Sequence, residues 1–176
     1  MIMVKELSNN FEIERKYIIK MPDLDLLKSK SDRVLKITQT YLGQNSEGFN
    51  CRVRKIIENG KPEYIFTEKR AVSSIKRIEN EYKIDEIRYN SLIENRLKDR
   101  NIIEKTRYCV NKNSFIYEID IYPFWKNQAV MEIELENEQI IPKSLDFIEV
   151  LKDVTFDKRF SNFALSKAIP NEIIKV

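Results

Sequence analysis

Charged side chains recur at every second position along this chain, and their types define what chemistry it can do. Glu12, Glu14 and Lys16 share one face of an alternating segment; Arg52 and Arg54 share another, as do Thr67 and Lys69. Arg77, Glu79 and Glu81 form a further set, followed by Lys105 and Arg107, Glu118 and Asp120, and Glu132 and Glu134. Arginine forks and lysine ammonium groups suit phosphate oxygens, whereas carboxylate pairs suit hard divalent cations. Several sets are pure in sign, and like charges two residues apart on one strand face repel unless something neutralises them. A bound polyanion would do so for the basic sets, and a divalent cation for the acidic ones.

Three scarcities narrow the chemistry. There is no histidine, so imidazole serves neither as base nor as metal ligand. Two cysteines, Cys51 and Cys109, lie far apart without CxxC spacing, which excludes a cysteine-built zinc site within one chain and suits a reducing compartment. With three glycines, no glycine-rich loop can cradle phosphate on backbone amides. An anion site must therefore be built from side chains, and a metal site from carboxylates, which favour Mg²⁺ or Mn²⁺.

The elements that position these groups read mainly as strands. Period-two alternation marks Phe11–Ile19, Ile37–Leu42 (with Gln39 and Tyr41 on one side), Asn50–Ile57, Glu63–Arg70, Lys76–Ile84, Ile103–Asn111, Ser114–Tyr122 and Ala129–Glu136. Asn59-Gly60 is a strong hairpin-turn signal. Helical patterns fall at Pro22–Ser29, Asp85–Asp99, Pro142–Leu151 and Ser161–Ala168. One α+β domain dominated by antiparallel strands is expected over residues 1–176, its core at about 10–170.

The 176 residues suffice for a core, and 34% charged residues with a net charge of +3 give no bulk case for nucleic acid. No stretch reaches the ~20 apolar residues that span a bilayer, and the first residues lack a signal-peptide pattern. A cytoplasmic protein without nucleic-acid or membrane partners is expected. Alternation alone leaves two arrangements open: an ordinary sheet with one wet charged face, or a closed sheet with the charges inside and helices covering its apolar outside.

Glu12-Ile13-Glu14-Arg15-Lys16 resembles the E-x-E-x-K strand that marks the CYTH superfamily, the triphosphate tunnel metalloenzymes. The resemblance continues in order through TYLG (Thr40–Gly43), RVR (Arg52–Arg54), TEK (Thr67–Lys69), RIENE (Arg77–Glu81), EKTRY (Glu104–Tyr108), YEID (Tyr117–Asp120), MEIEL (Met131–Leu135) and VTFDKRFSN (Val154–Asn162). It implies an antiparallel eight-stranded closed β-barrel, a triphosphate tunnel with helices packed outside. It also implies a metal-dependent hydrolase acting on inorganic triphosphate, similar to bacterial short-chain tripolyphosphatases. Class IV adenylate cyclase, a thiamine or nucleoside triphosphatase and a non-enzymatic polyphosphate-binding module are the alternatives.

Carried over residue by residue, the resemblance assigns phosphate binding to Lys16, Arg52, Arg54, Lys69, Arg77, Lys105 and Arg107, with Lys158 and Arg159 as further candidates. Divalent metal, Mg²⁺ or Mn²⁺, falls to Glu12, Glu14, Glu132 and Glu134, then Asp120, with Glu79 and Glu81 nearby. Lys16 and Tyr41 match a lysine–tyrosine pair that activates water in some relatives; a lysine among cations is expected to lose its proton more easily. Two segments depart from the pattern. Glu68 stands where relatives carry an apolar residue, on the face opposite Lys69. The loop Tyr122–Ala129 either packs under a helix or contributes to a homodimer contact, as in several relatives.

Overall fold

A computed structural model describes residues 11–73 and 75–173 of the chain; the reading of the first ten residues as lacking a signal peptide lies outside them. Strands β1 (Phe11–Lys20), β2 (Arg33–Gln44), β3 (Asn50–Glu58), β4 (Lys61–Ala71), β5 (Lys76–Ile84), β6 (Ile103–Lys112), β7 (Phe115–Ile121), β8 (Gln128–Glu134) and β9 (Val150–Asp153) are joined with helices α1 (Leu24–Lys30), α2 (Glu86–Glu94) and α3 (Asn162–Leu165). The strand order is β5-β4-β3-β2-β6-β7-β8-β1, and β5 pairs again with β1, closing an antiparallel barrel of eight strands. β9 adds to β1 on the edge opposite β8, beyond the residues that pair with β5. The closing contact places Glu12 opposite Arg77. The closed arrangement is thus the one adopted.

Local chemistry explains the turns. Asn59 and Gly60 both take positive φ, 50° and 78°, which matches the twist of a two-residue hairpin between β3 and β4. Asn113 and Ser114, at 53° and 65°, do the same between β6 and β7. Asp23 accepts from the amides of Asp25 and Leu26 at the start of α1, and Asp85 accepts from Arg88 at the start of α2.

Closure inverts the usual sidedness of a sheet. The outward faces of β1, β7 and β8 carry Tyr17, Ile19, Tyr117, Ile119, Met131 and Ile133, covered by Leu27 of α1 and by Leu145, Phe147 and Ile148. On the other side Val53, Tyr64 and Phe66 are covered by Tyr89, Leu92 and Ile93 from α2. Each such aliphatic side chain, fully withdrawn from water, contributes about 1.5–3 kcal/mol. A third cluster, Ile18, Ile103, Tyr122 and Val130, continues the same strand faces as Lys16, Lys105, Asp120 and Glu132, and packs on Trp125, Phe160 and Leu165. Apolar packing therefore fills one end of the barrel interior, and charge occupies the rest.

The helix expected over Pro142–Leu151 does not form; its apolar residues lie on the barrel wall from a chain of turns and extended backbone that ends in β9. The helix expected over Ser161–Ala168 shortens to Asn162–Leu165, and α2 stops at Glu94 rather than Asp99. The loop at Tyr122–Ala129 packs within its own chain: Trp125 is 4% exposed, stacks edge-on to Tyr122 and Phe124, and donates Nε1–H to the carbonyl of Pro170. No helix among the described residues is long and apolar enough to cross a membrane.

Candidate active site

The inward positions of the strands enclose a cavity of about 510 Å³. Seven basic side chains line it, Lys16, Arg52, Arg54, Lys69, Arg77, Lys105 and Arg107, together with seven carboxylates, Glu12, Glu14, Glu79, Glu81, Glu118, Glu132 and Glu134. Tyr41 joins them. Glu68 lies on the outward face of β4, where it accepts from Asn45 Nδ2 at 2.9 Å, so Lys69 is free to point inward.

The lining charges neutralise one another through several groups of ion pairs. Lys16 Nζ sits 2.8 Å from Glu132 and 3.6 Å from Glu14, and Arg77 donates to Glu14 at 2.7 Å. Lys69 lies between Glu12 and Glu79, while Arg52 reaches Glu79 at 3.1 Å. Arg54 pairs with Glu81, which also accepts from the Thr67 hydroxyl at 3.1 Å. Arg107 contacts Glu118, Glu132 at 2.7 Å and both oxygens of Asp120.

Confinement and pairing shift proton affinities in opposite directions. Burial pushes Glu12 up to about 8 from 4.5; Lys69 opposes this, while the like charges of Glu14 and Glu79 reinforce it. Burial raises Glu132 too, but Lys16, Arg107 and Lys105 outweigh that and hold it well below the ordinary carboxylate range. Burial would lower Lys16, yet Glu132 and Glu14 hold it above the usual lysine value. This reverses the expectation of a lysine that neighbouring cations make easier to deprotonate, because its nearest neighbours here are anions. The lysine that is lowered is Lys105, by burial and then by Arg107.

Three assignments from sequence land differently. Asp120 does not line the cavity: it is fully buried beneath it, fixing Lys105 and Arg107. Lys158 and Arg159 lie outside the bore on an exposed 3₁₀ turn, where Arg159 turns back to Asp157 at 2.6 Å. The turn that carries them is anchored by Phe160 in the apolar plug, which leaves its charged flanks in solvent. Sequence reasoning missed several lining residues, among them Glu118, Gln39, Ser161, Asn162 and Phe163. Gln39 shares the strand face of Tyr41 and could have been found by that spacing; Ser161, Asn162 and Phe163 reach the cavity only because the chain after β9 folds back over the barrel.

Among the described residues, no three acidic or cysteine side chains converge as a ready metal nest; Glu12, Glu14, Glu79, Glu81, Glu118 and Glu132 each turn toward a lysine or arginine. The donor set nevertheless fits a hard divalent cation: it is all carboxylate oxygen, gathered on one cavity wall.

No protein-family model matches the sequence, and no curated protein does. Solved structures do match. The inorganic triphosphatase NE1496 is 25% identical, with a TM-score of 0.52 over 95% of this chain and 99% of its own. A second structure of NE1496, described there as a hypothetical protein, is 26% identical, with a TM-score of 0.54 over 90% and 99%. PH1819 from Pyrococcus horikoshii OT3 shares the fold at 18% identity and a TM-score of 0.54, over 73% of this chain and 80% of its own. The closed barrel with its charged bore has the architecture of the CYTH superfamily, which these structural matches support.

Proposed function

We propose that this protein is a metal-dependent hydrolase of inorganic triphosphate. The observation that carries the reading is the balanced bore: seven cations converge on one confined cavity, each already matched by a carboxylate. Anion binding alone would leave the carboxylates stranded without partners, and cation binding alone would strand the arginines and lysines. A triphosphate entering together with a divalent cation satisfies both sets. The similarity to the inorganic triphosphatase NE1496 supports the substrate class.

Arg52, Arg54, Arg77 and Arg107 present forks that can bridge two phosphate oxygens, and Lys69 and Lys105 act as point charges between them. These contacts hold the chain of phosphoryl groups along the bore and offset charge that builds on the leaving phosphate. A divalent cation held by Glu12, Glu14, Glu132 and Glu134 would neutralise phosphoryl oxygens and make a bound water easier to deprotonate. Glu14 and Glu132 keep Lys16 protonated; were they to hold a cation instead, its ammonium would be easier to deprotonate. The apolar plug around Tyr122 and Trp125 keeps one end of the cavity dry, which strengthens every charge interaction inside it.

The test is phosphate release from inorganic triphosphate, ATP and thiamine triphosphate, with Mg²⁺ or Mn²⁺ and with EDTA. Release from inorganic triphosphate that EDTA abolishes is the expected result. Cyclic AMP as the dominant product from ATP would overturn the reading, and tight triphosphate binding without turnover under any metal would assign a binding module instead.

A further inference from the structure

We propose that Gln39 is a positioning residue that fixes the Tyr41 hydroxyl as a hydrogen-bond donor into the bore. Gln39 is 1% exposed and stands between two groups, donating Nε2–H to Tyr41 Oη at 2.6 Å and accepting at Oε1 from Arg52 Nη1 at 3.4 Å. An amide side chain can be turned end for end, but here Arg52 decides the matter. A guanidinium has only donors, so the amide oxygen must face Arg52 and the amide NH₂ must face Tyr41.

The phenol oxygen of Tyr41 is thereby used as an acceptor, and its own proton is left for another partner. Tyr41 is 6% exposed, its ring stands edge-on to Phe163 at 5.1 Å between centroids, and it lines the charged cavity. The proton is directed at whatever oxygen occupies the bore. On the polyanion reading of the site, on which this inference rests, that acceptor is a phosphoryl oxygen. Tyr41 then serves as a neutral donor among the arginines rather than as a base that takes a proton from water. Because the same amide touches Arg52, one residue sets both a neutral and a charged phosphate contact.

The experiment is a double-mutant cycle on the full chain with Gln39→Met, which keeps length and neutrality, Tyr41→Phe, and both together. Calorimetric binding of inorganic triphosphate in the presence of Mg²⁺ is the readout, with thermal melting as the check on folding. Tyr41→Phe is expected to weaken binding about tenfold, Gln39→Met at least as much because it also releases Arg52, and the double variant no more than Gln39→Met alone, since the Tyr41 bond is already lost in it. Parent-like affinity in Gln39→Met, as a merely space-filling role would give, overturns the proposal; so do losses that multiply to about a hundredfold. If the parent binds no triphosphate, the reading of the bore fails, and the phenol itself still decides the orientation. Its titration is then followed by ultraviolet absorbance as the difference between each protein and its Tyr41→Phe counterpart. Loss of the amide donor should move the Tyr41 titration to higher pH, and an unmoved titration overturns the inference. Gln39→Leu supplies the same comparison if Gln39→Met does not fold.

Discussion

Asp120 grips Arg107 through two parallel bonds, Nε–H to Oδ1 and Nη2–H to Oδ2, each 2.7 Å. The carboxylate has no exposed surface and also receives Lys105. Its place is therefore behind the bore, aiming two cations at it, rather than on the lining. Asp120→Asn keeps the shape and removes the charge, leaving two buried cations short of a partner. We expect a loss of about 3–5 kcal/mol in urea unfolding. Near-parental stability combined with lost Mg²⁺ binding would instead make Asp120 a metal ligand.

Glu132 accepts from Lys16 and Arg107 together, at 2.8 and 2.7 Å. Glu132→Gln should lower metal-dependent turnover about a hundredfold, the cost of removing one anionic donor from a cation site. Mg²⁺ titration of the variant, read by calorimetry in the absence of substrate, should show weakened cation binding. Unchanged turnover and unchanged Mg²⁺ affinity would move the metal elsewhere.

On the proposed function, the ion pairs should make anion and cation binding depend on each other. Coupling of this kind is reciprocal: Mg²⁺ should tighten triphosphate by the same factor as triphosphate tightens Mg²⁺. Affinities measured for each ligand, with and without saturating amounts of the other, check this, and independent binding would contradict a bore neutralised by its own pairs.

Glu12 supplies a pH dependence with a definite sign. Its proton affinity in the folded chain rises from 4.5 to about 8, so the stability it contributes is fully present below about pH 4.5 and is lost as pH rises through about 8. The melting temperature of the ligand-free protein should therefore carry a component that falls between pH 5 and pH 8.5, and Glu12→Gln should flatten it. An unaltered profile in the variant would show that Lys69 keeps Glu12 ionised.

Lys158→Ala and Arg159→Ala test the outer boundary of the site. Both side chains point to solvent, and Arg159 is tied to Asp157. Turnover and triphosphate affinity should stay within about twofold of the parent, because exposed charges interact weakly across screened solvent.

Much of this was legible beforehand because strand geometry is simple. With side chains alternating strictly, Arg52 and Arg54, or Glu132 and Glu134, must share a face wherever the strand goes. The Asn59-Gly60 turn was equally local. The segment 142–151 was not, since Leu145, Phe147 and Ile148 at near-helical spacing satisfy a helix face and an irregular chain draped on a barrel wall equally well. The missed strand β9 has no alternation of its own to announce it; β1 simply offers it a pairing partner.

What the sequence by itself determined is therefore the set of charges and the face each one shares. The absence of histidine and the scarcity of glycine further required that any polyanion or metal site be built from basic and carboxylate side chains. Tertiary structure alone decided who meets whom. Glu118 and Asp120 sit two residues apart on one strand face, yet one lines the cavity and the other lies sealed beneath it. Lys16 was expected among cations and lies between carboxylates, and Gln39 gains its role only because β2 and β3 bring Arg52 within reach. The physical reason is range: alternation is fixed by neighbouring residues, whereas pairing across a bore depends on closure of β5 onto β1, a contact between residues more than sixty positions apart.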